Sequence, residues 1–192
     1  KIKTEYEIEE KLRLPLLAKM GKVSEQETNL ITARDSFCSE VFRILLSNIK
    51  YLNPKVILTT SCNPSEGKSF VASNIAITYA RSGKKTVLID ADIRRGRQHN
   101  IFQINSYNEG ISNIIQDNST DFDKYITHIE SVENLDIITK GTACIDYSKL
   151  LYTNKIVQLI EQLKQKYDFI IIDGTPKSLV ADDIAFSKAV DY

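Results

Sequence analysis

Between positions 61 and 70 the chain reads Ser-Cys-Asn-Pro-Ser-Glu-Gly-Lys-Ser-Phe, directly after the β-branched apolar run Val56-Ile-Leu-Thr-Thr60. A phosphate group is anionic and needs several donors at short range. A compact loop feeding a helix N-terminus supplies them as convergent backbone N–H groups, helped by the positive end of the helix dipole. In such a loop Gly67 allows close backbone approach, Lys68 reaches β/γ oxygens, and the Ser69 hydroxyl can ligate magnesium. Asn63, Pro64, Ser65, Glu66 and Phe70 complete the candidate nucleotide-binding segment. Cys62 stands where the strict pattern has its first glycine. Gly-Lys-Ser alone also occurs in ordinary polar turns, so the reading rests on its place between a buried strand and a helix.

Two carboxylate sites follow. Asp90-Ala-Asp92-Ile-Arg94 closes a second apolar run, Thr86-Val-Leu-Ile89. Alternate residues of a strand end point the same way, so Asp90 and Asp92 are expected to face the loop together. Buried like charges repel unless a cation lies between them, which suits Mg²⁺; the plainer reading is a solvated strand end. Asp173, after Phe169-Ile-Ile-Ile172, has the position of a carboxylate that holds Mg²⁺ directly or through water. Its plainer reading is a cap or turn residue ahead of Gly174-Thr175-Pro176.

These residues need elements to position them. The 192 residues fit one ordinary domain on the ~150-residue prior, and 42% hydrophobic with 26% charged residues is globular composition. Lys plus Arg equals Asp plus Glu at 25 each, which disfavours a nucleic-acid binder. The longest apolar run, Phe169–Ile172, is far below the ~20 residues that span a bilayer. Cys38, Cys62 and Cys144 are odd in number and widely spaced, and His99 and His128 stand apart, so neither a disulfide framework nor a zinc site is expected. Reducing, cytosolic surroundings suit this cysteine usage.

The pattern predicts a distinct arm over 1–34: a helix at Glu5–Arg13, interruption at Pro15, a short strand at Leu16–Met20 and a polar connector over Ser24–Thr28. Asp35–Tyr51 reads as an amphipathic helix. Strands are then expected at Val56–Thr60, Thr86–Asp90, Leu135–Thr139 and Asp168–Asp173, and helices at Gly67–Arg81, Gly110–Ile115, Lys149–Tyr167 and Asp182–Val190. Strands alternating with helices imply parallel strands joined by crossovers: an α/β fold with a mostly parallel sheet and helices on both faces. In such sheets ligands bind beyond the carboxyl ends of the strands.

Pro64-Ser-Glu-Gly-Lys-Ser69, Ile89-Asp-Ala-Asp-Ile-Arg94 and Ile170-Ile-Ile-Asp173 together resemble the Walker A, A′ and B motifs of the P-loop bacterial tyrosine kinases of capsule and exopolysaccharide export. The resemblance covers roughly residues 35–192, with Ala72-Ser-Asn-Ile-Ala76 and Glu133-Asn-Leu-Asp136 also in the family's style. It implies ATP-Mg²⁺ phosphoryl transfer to tyrosine hydroxyls, mainly on neighbouring subunits. Lys68 would stabilise the β/γ oxygens, Ser69, Asp90 and Asp173 would hold the metal or its waters, and Asp92 or Asp90 would orient or deprotonate the phenol. Arg94 would serve the nucleotide phosphates or form a surface ion pair.

Leu14-Pro15-Leu16-Leu17 is similar to the juxtamembrane segment of kinases fused to a membrane-spanning chain-length regulator. That likeness implies a cytoplasmic domain at the face of the inner membrane, with a self-assembled ring and a cognate tyrosine phosphatase as partners. The family's assembly motif is E-x-x-R-x-x-R; Glu40 and Arg43 match it, but Leu46 replaces the second arginine, which puts the ring in doubt. The chain stops at Tyr192, whereas the family continues into further strands and a tyrosine-rich tail, so a missing C-terminal part is expected. Two other readings keep the fold: a Min/Par-type ATPase, whose signature lysine would stand at Asn63, and a nucleotide-gated scaffold that has lost turnover.

Overall fold

A computed structural model describes residues 5–22, 37–143, 154–176, 186 and 189–191. The chain divides into two compact units, Lys1–Asn53 and Pro54–Tyr192.

The described residues of the first unit hold two helices. α1 spans Glu5–Leu12 and α2 spans Phe37–Lys50, as the charge and apolar spacing predicts. α1 stops where Arg13 turns left-handed, at φ 54°, before Leu14 and Pro15; a residue preceding proline is driven out of helical geometry. The expected strand over Leu16–Met20 does not form. An isolated strand leaves its backbone groups unpaired. Here side chains meet part of that need: Leu16 N–H donates to Glu9 Oε1 at 2.9 Å, and Asn48 Nδ2 donates to Leu17 O at 2.6 Å.

The second unit is built around a five-stranded sheet. In chain order it runs β1 (Val56–Ser61), α3 (Lys68–Arg81), β2 (Thr86–Asp90), α4 (Gln98–Ile101), α5 (Ile111–Gln116), β3 (Thr127–His128), β4 (Leu135–Ile138), α6 (Lys155–Lys166) and β5 (Phe169–Pro176). The sheet order is β1-β5-β2-β4-β3, with all pairs parallel except β3–β4. The four anticipated strands are present, and β5 continues past Asp173 to Pro176. The two-residue antiparallel edge β3, the short α4 and a 3₁₀ turn at Asp123–Tyr125 were not anticipated.

Strand alternation assigns the two faces. Val56, Val87, Ile89, Ile138, Ile170 and Ile172 join Ile114 of α5 and Ile156, Leu159, Ile160 and Leu163 of α6 in one buried cluster. The opposite face is covered by α3, where Tyr79 stacks on Phe169 with ring centroids 3.7 Å apart. The α/β expectation with helices on both faces therefore holds. The register sets Asp90 directly beside Asp173 at the carboxyl edge. The connector over Ser24–Thr28, residues 149–153 of the expected Lys149–Tyr167 helix and all but a few positions of the Asp182–Val190 helix lie outside the described residues.

Candidate active site

Where β1 ends, its chain must turn sharply into α3. Ser65 takes φ 64° and Gly67 φ 92°, left-handed geometry that glycine adopts at little cost. The Glu66 carboxylate folds back over the loop, accepting from Asn63 N–H and Asn63 Nδ2 at 3.0 Å each. That contact holds the Glu66 pKa below the ordinary carboxylate value, chiefly through the Asn63 backbone N–H. Ser61 Oγ donates to Asn63 O at 2.8 Å, so the turn is laced from within. Asn63, Pro64, Ser65 and Glu66 are exposed, while Lys68, Ser69 and Phe70 are half-buried at the start of α3.

Lys68 meets both carboxylate motifs. Its Nζ lies 3.2 Å from Asp92 Oδ2 and 4.0 Å from Asp173 Oδ1. Asp92 Oδ1 also accepts from Arg95 N–H at 2.9 Å, which fixes the carboxylate on the turn after β2. Asp90 and Asp173 are fully buried and Asp92 is 5% exposed. Asp90 and Asp92 thus divide the space: Asp90 sits deep against the sheet and Asp92 lines the opening.

Burial raises the Asp90 pKa well above its ordinary value, and the neighbouring Asp173 raises it further; the Gln98 backbone N–H opposes both. Burial also raises Asp173, against which the Ser69 hydroxyl, Lys68 and Gln98 act. Among the described residues, Asp90 Oδ1, Asp173 Oδ1 and the side-chain oxygen of Gln98 have no hydrogen-bond partner. Buried acceptors normally have donors, so a hydrated divalent cation fits this spot chemically. Among the described residues no three His, Cys, Asp or Glu side chains form a metal cage of their own. Magnesium does not require one, because it is usually held by one or two carboxylates together with water and substrate phosphates.

In front of these groups lies a cavity of about 490 Å³, lined by Pro64, Ser65, Gly67, Lys68, Ser69 and Phe70 on one side and by Asp92, Arg94, Arg95, Arg97 and Pro176 on the other. The expected nucleotide-binding residues thus gather at one opening, Arg94 included. Asn63 and Glu66 stand behind the loop as its internal brace. Arg95, Arg97 and Gln98 went unnoticed in the sequence; the run Arg94-Arg95-Gly96-Arg97 directly after an acidic strand end was the available signal. The expected assembly residues Glu40 and Arg43 lie in the first unit, where they pair at 3.1 Å with both side chains more than half exposed.

Residues 54–191 match a family model described as an AAA domain. The chain is 38% identical over 159 residues to a putative tyrosine-protein kinase CapB of Staphylococcus aureus, covering 81% of this chain and 68% of that one. Against the tyrosine-protein kinase ptk of Acinetobacter johnsonii it is 29% identical over 97% of its own length but spans only 27% of the relative. Among solved structures, the chimerical protein CapA2B2 superposes with a TM-score of 0.83 at 34% identity, over 96% of this chain and 81% of that one. The septum site-determining protein MinD of Pyrococcus horikoshii superposes at 0.58 with 22% identity, over 71% of this chain and 54% of that one, a likeness of fold alone.

Proposed function

The chain belongs to the bacterial tyrosine kinases of capsule systems, and we propose that its cavity takes ATP with Mg²⁺ and passes the γ-phosphoryl to a tyrosine hydroxyl. The observation that carries this reading is that Lys68, on the cavity wall with Asp92, lies within 4.0 Å of both Asp92 and the buried Asp173.

Each residue has a task set by its position. Gly67 caps α3 and Lys68 and Ser69 open it, so their backbone N–H groups and the helix dipole meet the phosphates. Lys68 exchanges Asp92 for phosphate oxygens as nucleotide enters, which frees Asp92 Oδ2. Ser69, Asp90 and Asp173 would hold the magnesium, which when bound neutralises charge on the transferring group. The phenol oxygen attacks the γ phosphorus, its proton passes to Asp92, and the bond to the β–γ bridging oxygen breaks to release ADP. A phenol with a reference pKa near ~10 gains from such a base. The Arg94 guanidinium, exposed on the cavity wall, suits the outer phosphates.

The wider assignment is part of the same proposal. Residues 1–34 form an arm to a membrane chain-length regulator, and residues 35–192 work at the cytoplasmic face of the inner membrane, with self-association through Glu40 and Arg43 and reversal by a phosphatase. The CapA2B2 likeness, which extends over nearly the whole chain, supports such an adaptor. Among the described residues no helix is long and apolar enough to cross a membrane.

Incubation with ATP and Mg²⁺ followed by mass spectrometry tests the activity. Phosphotyrosine should form and should vanish in Lys68→Met. ADP release without phosphotyrosine would show a plain ATPase, and nucleotide binding with neither would show a scaffold.

A further inference from the structure

Three acceptor oxygens lie buried at the carboxyl edge of the sheet without a donor among the described residues: Asp90 Oδ1, Asp173 Oδ1 and Gln98 Oε1. Two belong to carboxylates already placed at the metal. The third belongs to a side chain outside every motif. Gln98 opens α4 and is fully buried.

Its donors are committed in an informative way. Nε2 donates to Asp173 Oδ2 at 2.9 Å and to Ser69 O at 3.1 Å, and the backbone N–H donates to Asp90 Oδ2 at 3.1 Å. One residue thereby touches the phosphate loop and the carboxylate of each strand end. Each carboxylate has one oxygen held by Gln98, and the other has no hydrogen-bond donor among the described residues. For Asp173 that second oxygen is the one 4.0 Å from Lys68. An amide that merely filled space would have no reason to divide its donors this way, nor to leave its own acceptor buried and unmatched.

We propose that Gln98 is a positioning residue of the metal centre. Its donors fix the Oδ2 atoms of Asp90 and Asp173, which dedicates both Oδ1 atoms to a hydrated divalent cation. Its Oε1 accepts a hydrogen bond from one of that cation's waters. Magnesium keeps several waters, and each brings two donors, the complement of three orphaned acceptors. Groups that orient metal ligands commonly change affinity ten- to a hundredfold when removed. The proposal rests on the nucleotide and magnesium reading above.

The test measures a fluorescent ADP analogue binding to the folded chain, once with magnesium and once in EDTA, for wild type, Gln98→Met and Gln98→Asn. Methionine keeps the length and removes the hydrogen-bonding groups. Asparagine keeps an amide but withdraws it by one methylene, and serves if the methionine variant fails to fold. Affinity in EDTA should stay within about twofold of wild type, while the gain from magnesium falls about tenfold or more. A folded variant with the wild-type magnesium gain overturns the proposal, as does equal loss under both conditions, which would make Gln98 a packing residue. A wild-type chain with no magnesium gain would overturn the nucleotide reading itself, and this proposal with it.

Discussion

Asp90 and Asp173 sit side by side across the β2–β5 register, both fully buried. Lys68 lies 4.0 Å from Asp173 Oδ1, and Lys140 offsets the charge of Asp90 only weakly. Their raised pKa values have a direct consequence for stability. A carboxylate that binds its proton more tightly when folded favours the folded state at low pH, and that advantage disappears as pH rises from the unfolded value near 3.8 through the raised folded value. Without metal, the melting temperature should therefore fall across this window. Asp90→Asn should flatten the slope and raise the melting temperature near pH 7 by several degrees, because an unmatched buried charge costs about 1–3 kcal/mol. Thermal unfolding in EDTA between pH 4 and 8 checks this; an identical slope in the variant would mean that the nearby lysines, Lys68 and Lys140, already offset the pair. Asp173→Asn should weaken nucleotide binding with magnesium more than in EDTA, whereas equal loss would leave that carboxylate a structural role only. Gly96 belongs to the same cluster, since a Cβ there would stand 2.4 Å from Asp90 Oδ1. Gly96→Ala should displace the Asp90 carboxylate, cost about 1–3 kcal/mol and reduce magnesium-dependent binding, read by denaturant unfolding and nucleotide titration.

At the scale of elements, the carboxyl edge of the sheet stays fixed because both faces are clamped. Leu159 of α6 is fully buried in the cluster formed with Val87, Ile89, Ile170 and Ile172. Leu159→Ala should cost about 2–5 kcal/mol in urea unfolding, and nucleotide affinity of the folded fraction should stay unchanged, since the helix packs beneath the sheet and lines no part of the cavity. A large affinity loss would show that α6 sets the loop geometry directly. This packing also explains what the sequence disclosed. Val56–Thr60, Thr86–Asp90 and Phe169–Asp173 are apolar and β-branched because two helical layers bury them, so their runs announce themselves. Thr127 and His128 are too few and too polar to show any alternation, and their pairing depends on β4. Leu16–Met20 is apolar apart from Lys19 but lacks β-branched and aromatic residues, and it has no ladder partner, a condition that no local pattern reports. The loop, Asp90, Asp92 and Asp173 were readable because phosphate and metal chemistry demand those residue types at strand ends. Gln98 was not, since a single glutamine after an arginine run acquires meaning only when the chain folds back onto Asp90.

At the scale of the whole molecule the open question of assembly turns on one helix. Glu40 and Arg43 pair with each other on an exposed stretch of α2, and a salt bridge of this kind contributes little on its own. Contact with a second copy would gain most from a charge left without a local partner, which is what a second arginine would supply. Leu46, half-buried one turn beyond Arg43, offers none. The chain alone should therefore form small species at micromolar concentration, measured by sedimentation velocity in 150 mM salt. Leu46→Arg should shift the distribution towards larger assemblies, and Arg43→Ala in that background should reverse the shift. The gain should shrink as salt rises, because exposed charge pairs are screened beyond about 8 Å at physiological ionic strength. A wild-type chain already sedimenting as a large closed species would show that Glu40 and Arg43 suffice. No change in Leu46→Arg would place the assembly surface elsewhere than on α2.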